Sequence, residues 1–168
     1  IDATKYDDLV ASYKGYDLIL DVSRTPGRKL LAMKAAYQVR TYKDFPCPVI
    51  IFQDEPALAG YGSSEMISIS GDEIAASIEE INDAIHAEGG LAGIHVCANT
   101  DWGLILGTRI DIVNFDTYSY FDRFLLYGAQ VKQFINRGGM IAWGLVPTGS
   151  AEALEAAEVV DHQHAVAA

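Results

Sequence analysis

The chain has 168 residues, of which 50% are hydrophobic, so it can form one domain with a sizeable core and does not resemble a disordered protein. Its formal net charge of -11 disfavours nonspecific binding to nucleic acid or to anionic membrane, because both are polyanions. No apolar run approaches the roughly 20 residues that span a bilayer, no signal-peptide pattern is present, and two cysteines fit a reducing compartment, so we expect a cytoplasmic protein.

The first third of the chain predicts two helices and two strands in alternation. Both strands are short runs of branched apolar residues, and the second helix has apolar residues at helical spacing. A loop with Pro26 and Gly27 precedes that helix, and Pro46 and Pro48 end it because proline has no amide hydrogen. The predicted elements are a helix at Ile1–Lys14, a strand at Tyr16–Val22, a helix at Lys29–Tyr42 and a strand at Val49–Phe52.

A long loop and a well-marked helix follow. The loop Ala57–Ile69 exceeds the usual length of a strand-to-helix connection, and such loops are more often functional. Ser70 and Glu73 have the spacing of a capping box, which predicts the start of a helix. Gly89 and Gly90 predict its end. Its apolar stripe consists of Ile74, Ile78, Ile81 and Ile85.

The second half of the chain continues the alternation of strands and helices. A strand carrying His95 and Cys97 comes first, and Thr100 is the predicted cap of the short helix after it. Glycines mark the ends of the helices, and Pro147 ends the last strand. The remaining elements are a helix from Asp101 to about Leu106, a strand at Ile110–Phe115, a helix at Phe121–Arg137, a strand at Met140–Val146 and a last helix capped by Ser150.

This order of elements predicts a single α/β domain over residues 1–168. Five apolar strands alternating with helices favour parallel strands joined by right-handed crossovers, in an open layer or a barrel. In both architectures ligands bind at the carboxyl ends of the strands. The candidate polar residues fall at those ends: Asp54, Glu55, His95, Cys97, Asn99 and Asp116.

The stretch Leu91–Asp116 carries the most specific chemistry. His95 and Cys97 are two residues apart on a strand, so their side chains should point to the same face, and Asp116 should arrive beside them from the next strand. An imidazole, a thiolate and a carboxylate together suit zinc. The competing interpretation of Cys97 alone is a buried structural thiol.

Four segments of the chain resemble the catalytic barrel of cobalamin-independent methionine synthase, and more closely its short single-domain relatives in the uroporphyrinogen decarboxylase-like superfamily. The paired DEP and HxC motifs occur in the family's order, and the similarity extends from about Leu18 to Leu154. The segments are VIIFQDEPALAGYGSS, IHVCANTDW, IVNFDTY and MIAWGLVPT.

The resemblance implies a TIM (β/α)8 barrel, here a partial one spanning about the third to the seventh strand unit. It implies that zinc is held by His95, Cys97 and the acidic position Asp116, which is glutamate in the long methionine synthases. The family's final ligand is a cysteine, and none follows Val146. Asp54 matches the aspartate that holds the amino group of homocysteine, and Glu55 lies beside it, although these two could also be a capping or surface pair.

Two function classes follow from these expectations. The first is a zinc-dependent methyltransferase of methionine biosynthesis, which moves a methyl group from a methylated folate or corrinoid to a homocysteine-like thiol. The second is a noncatalytic or assembly-dependent barrel fragment that binds a ligand or partner. Because a partial barrel exposes strand edges, we expect association with a second copy or with another chain. A metal-free decarboxylase-like lyase is weaker, because it leaves HxC without a purpose.

Overall fold

The computed structural model describes residues 26–55, 58 and 70–147, which contain four strands and five helices. The strands are β1 (Ile50–Asp54), β2 (Leu91–Val96), β3 (Ile112–Asp116) and β4 (Met140–Gly144). The helices are α1 (Pro26–Tyr42), α2 (Gly71–Ala87), α3 (Trp102–Gly107), α4 (Thr117–Leu125) and α5 (Gly128–Asn136). The helix predicted at Ile1–Lys14, the strand predicted at Tyr16–Val22 and the last predicted helix lie outside the described residues, as does all of the Ala57–Ile69 loop except Leu58.

The four strands form one parallel sheet in the order β1-β2-β3-β4. The predicted α/β class and parallel strands are therefore confirmed. Each strand is hydrogen-bonded to the next one in the chain, so the order never reverses across these strands. All four carboxyl ends therefore lie at one edge of the sheet.

The described helices cover one face of this sheet, which we call the helix face. Alternate strand residues point to it, and they are buried or packed against the core. They are Ile51 on β1, Ala92, Ile94 and Val96 on β2, Val113 and Phe115 on β3, and Ile141 and Trp143 on β4. The residues between them point to the opposite face, which we call the His95 face.

Helices α1 and α2 pack against each other on the helix face. The predicted capping box begins α2, because Glu73 N donates to Ser70 Oγ at 3.2 Å and Ser70 N donates to Glu73 Oε2 at 3.0 Å. Its stripe is buried at Ile78, Ile81 and Ile85. On α1, the face that carries the alanines and Val39 is buried, whereas the larger side chain of Tyr37 is 62% exposed. Alanines leave room for the two helix backbones to approach closely.

The predicted helix Phe121–Arg137 is wrong as a single element: the helix begins at Thr117 and not at Phe121, and a turn at Leu126–Tyr127 divides it into α4 and α5. The turn brings the Tyr127 ring against Gly103 of α3. Burial raises the pKa of the Tyr127 phenol, and the charge of Asp101 raises it further. Tertiary contact with α3 therefore accompanies the break, which helical periodicity alone does not reveal.

Two other helix starts differ from expectation. The cap of α3 is Asp101 and not Thr100, because Leu104 N donates to Asp101 Oδ1 at 3.3 Å. Helix α1 begins at Pro26, before the predicted start at Lys29; proline suits the first helical position because the amide hydrogen it lacks has no partner there. Both differences move a boundary and leave the element itself in place.

Two strands are shorter than predicted. Strand β3 begins at Ile112 and not at Ile110, and β4 ends at Gly144 and not at Val146.

An aromatic cluster of three buried rings connects α3, β3 and α4. The ring centroids of Trp102 and Phe115 are 4.9 Å apart, and those of Phe115 and Phe124 are 4.5 Å apart. No helix in the described part of the chain is long and apolar enough to cross a bilayer.

Candidate functional site

The sequence-predicted site residues lie at the carboxyl edge of the sheet, on neighbouring strands. Asp54 is the last residue of β1 and is paired with His95 of β2. Cys97 follows β2 directly, and Asp116 is the last residue of β3. His95 is paired in turn with Asn114 of β3. Because partners in a sheet point to the same side, Asp54, His95 and Asn114 form one polar row on the His95 face.

A hydrogen-bond chain fixes the orientation of the His95 ring. His95 Nδ1 lies 2.5 Å from Asn114 Oδ1, and Asn114 Nδ2 donates to the carbonyl oxygen of Ala142 at 2.7 Å. A carbonyl oxygen can only accept, so it selects the NH2 end of the Asn114 amide and turns the amide oxygen toward the ring. These two hydrogen bonds connect the His95 side chain of β2, the Asn114 side chain of β3 and the Ala142 backbone of β4.

Cys97 and Asp116 have different surroundings. Cys97 is an exposed free thiol in the bend after β2, so it is not the buried structural thiol of the competing interpretation. Asp116 caps α4, because Ser119 N donates to Asp116 Oδ1 at 3.1 Å. This bond occupies one carboxylate oxygen of Asp116 and helps to start a helix. Asp116 therefore has a structural role that sequence reasoning did not foresee.

The donor atoms at this edge are of kinds that bind zinc, but they do not converge on one point. Imidazole nitrogen, thiolate sulfur and carboxylate oxygen are all zinc ligands, and the histidine of such a site usually donates its second ring N–H to an acceptor, as His95 can to Asn114. Within the described residues, no three His, Cys, Asp or Glu side chains converge closely enough to hold a metal ion. The structure thus brings His95 and Asn114 together and does not assemble the three predicted ligands.

The two acidic residues after β1 are placed differently from each other. Asp54 is exposed on the His95 face, whereas Glu55 is partly buried and its backbone N–H donates to the carbonyl oxygen of His95 at 3.1 Å. Burial raises the pKa of the Glu55 carboxyl above its usual value, and the charge of Asp54 raises it further. Both line a cavity of about 300 Å³ between α1 and β1, together with Lys34, Gln38 and Phe52.

Asn114 is the residue of this site that sequence reasoning missed. It is a polar residue inside the apolar strand IVNFD, two positions before Asp116. Because His95 stands two positions before Cys97 on the neighbouring strand, the same spacing that selected His95 could have selected Asn114. What the sequence does not contain is the strand register that pairs them.

Comparison with known proteins gives no relative: no family model, no curated protein and no solved structure matches this chain. A functional assignment therefore depends on the residues and geometry described above.

Proposed function

We propose that this chain is the metal-binding part of a zinc-dependent methyltransferase that acts on a thiol, of the cobalamin-independent methionine synthase type. One observation carries the proposal. The ring of His95 is held through Nδ1 by Asn114, at the strand edge where Cys97 and Asp116 also lie. The HxC motif thereby has a histidine whose second ring nitrogen is available as a ligand.

The sheet topology supports a partial TIM barrel. Doubly wound sheets reverse their strand order at a switch point, whereas the strands of a (β/α)8 barrel pair in chain order with all helices outside. Here four parallel strands pair in chain order, and the described helices lie on one face. In such a barrel the His95 face would be the interior, and the carboxyl edge would carry the active site.

The residues of the chain have distinct roles in this proposal. His95, Cys97 and the Asp116 oxygen not engaged by Ser119 would hold zinc, which would leave a position for the substrate thiol. Bound zinc deprotonates a coordinated thiol and so supplies a thiolate at neutral pH. Asp54, exposed in the same row as His95, would bind the ammonium group of a homocysteine-like substrate by a charge-assisted hydrogen bond.

In the proposed reaction a bond would form between the methyl carbon and the sulfur of the substrate thiol, which would lose its proton to solvent. The bond between the methyl carbon and its donor atom would break, and its electron pair would stay with the donor, which would be a methylated folate or a methylated corrinoid. No side chain of this protein is alkylated in that scheme. The protein would bind the thiol and orient the amino group.

The test is zinc content combined with methyl transfer. Purified protein should contain stoichiometric zinc by elemental analysis, and Cys97→Ser and His95→Ala should lose it. Cys47→Ser is the matched control, because Cys47 is an exposed thiol before β1 and outside the site, and it should keep the metal. Stoichiometric zinc in Cys97→Ser would overturn the assignment. Transfer from methylated folate or methylated corrinoid to homocysteine then tests the reaction.

The second candidate is a noncatalytic barrel fragment that assembles with a second copy of itself. The favouring observation is that apolar residues on the His95 face are open to solvent: Ile50 is 44% exposed, Phe52 46% and Met140 45%. Parallel sheets are normally covered on both faces. Light scattering should then show a dimer, with no methyl transfer whatever the zinc content; a well-folded monomer would contradict self-association.

A further inference from the structure

We infer that Asn114 is a positioning residue that holds the His95 imidazole as its Nδ1–H tautomer and so makes Nε2 the only ring nitrogen free to bind a ligand. The inference deepens the proposed zinc site and rests on it for its functional meaning. Its structural content, the tautomer and its cause, can be measured without any metal.

The tautomer follows from the order of donors and acceptors along the chain. The Ala142 carbonyl oxygen accepts from Asn114 Nδ2 at 2.7 Å, which leaves Asn114 Oδ1 as the atom facing the ring at 2.5 Å. An amide oxygen can only accept a hydrogen bond, so His95 Nδ1 must carry the proton and donate it to Asn114 Oδ1. The lone pair of the neutral ring is then on Nε2.

The anchor of this chain is backbone and not another mobile side chain. Asn114 stands on β3, with His95 of β2 as its register partner on one side and Ala142 of β4 on the other. The amide therefore spans three strands, and its orientation is set by a carbonyl that the β4 backbone holds in place. A half-buried ring at a sheet edge could otherwise rotate or exchange tautomers.

A simpler account is that Asn114 only satisfies polar groups on a half-buried face. The two accounts predict different tautomers of the His95 ring when residue 114 loses its acceptor oxygen and when it keeps one. Asn114→Leu has similar volume and no acceptor. Asn114→Asp keeps an acceptor for the Nδ1–H group and loses the donor to Ala142. A structural role makes both variants less stable and leaves the tautomer unspecified.

The experiment is nitrogen-15 NMR of the histidine side chains in metal-free protein, in alkaline buffer where an imidazole is neutral. We expect the Nδ1–H form for His95 in wild type and in Asn114→Asp, and a mixture dominated by the Nε2–H form in Asn114→Leu. His95→Gln assigns the signal. An Nε2–H tautomer of His95 in the wild type overturns the inference, whatever the stability of the two Asn114 variants.

Titration with Zn2+ alone then links the tautomer to binding. Loss of an orienting partner of a metal-bound histidine typically costs about 10- to 100-fold in affinity, so Asn114→Leu should weaken zinc binding by that factor and Asn114→Asp by less. Unchanged affinity in a folded Asn114→Leu that has lost the tautomer would overturn the positioning role. If the wild type shows the Nδ1–H tautomer but binds no zinc, the proposed function fails while the assignment of Asn114 stands.

Discussion

Gly144 provides the sharpest test of the geometry at the carboxyl edge. It ends β4 and is paired with Asp116, and a Cβ at this position would lie 2.5 Å from the carbonyl oxygen of Phe115. Ordinary contacts begin at 3.4 Å, so β3 and β4 would have to separate by on the order of 1 Å here. Because the obstructing atom belongs to the backbone of a buried residue, no rotamer change relieves it. We expect Gly144→Ala to cost about 2 to 3 kcal/mol, the upper part of the range for overpacking.

The assay is urea unfolding, with the free energy of unfolding taken from the midpoint and the slope. Gly128→Ala is the matched control: Gly128 is the first residue of α5 and has open space around its Cβ position. Alanine is preferred over glycine in a helix by about 0.5 to 1 kcal/mol, so the control should be as stable as the wild type or more so. If Gly144→Ala unfolds within about 0.5 kcal/mol of the wild type, the close approach of β3 and β4 is wrong.

Three further predictions concern stability. Ser70→Ala should lower the free energy of unfolding by about 1 kcal/mol, because it removes the cap of α2, while Ser70→Asp should not; equal losses in urea unfolding would contradict the capping role. Asp111→Ala should cost about 1 to 3 kcal/mol, since Asp111 Oδ2 accepts from Ala92 N at 2.7 Å and lies 2.7 Å from His86 Nε2, and Asp111→Asn should lose less. For Glu55, the raised pKa means that its protonated form is favoured in the fold, a stabilisation that is complete below the ordinary value of 4.5 and is lost as pH rises through the raised value. The free energy of unfolding of Glu55→Gln should therefore fall less than that of the wild type between acidic and neutral pH. Identical pH dependence of the two free energies would show that the fold does not disfavour the charged Glu55 carboxylate.

The elements with local signals were predicted from the sequence with small errors. The Ser70 capping box, the isoleucine stripe of α2 and the glycines after it are short-range patterns, and the structure contains each of them. The parallel sheet followed from the alternation of strands and helices. Boundaries were less secure, because Asp101 and Thr100 are both good cap residues and only the backbone geometry decides between them.

What the sequence could not supply was contact between distant elements. The break between α4 and α5 brings Tyr127 against α3, although helical spacing continues through the break. The exposure of Met33 and Tyr37 on α1 follows from the choice of the alanine face for packing against α2. At the site, His95 was selected by its spacing from Cys97, but its partner Asn114 depends on strand register, which is a tertiary property.

The His95 face is arranged in layers, and this arrangement bears on both candidate functions. One register row consists of Phe52, Gly93, Ile112 and Met140, and the next row toward the carboxyl edge consists of Asp54, His95, Asn114 and Ala142. The Phe52 ring lies across Gly93, where an added Cβ would meet it at 2.7 Å. The row farther from the carboxyl edge is therefore apolar, and the row nearer to it, beside the HxC motif, is mostly polar. Binding of zinc and substrate would use the polar row, whereas association with a second copy would use the apolar row, so the two candidate functions depend on different residues. Phe52→Glu should consequently disrupt self-association while leaving the His95 tautomer unchanged, whereas Asn114→Leu should do the reverse.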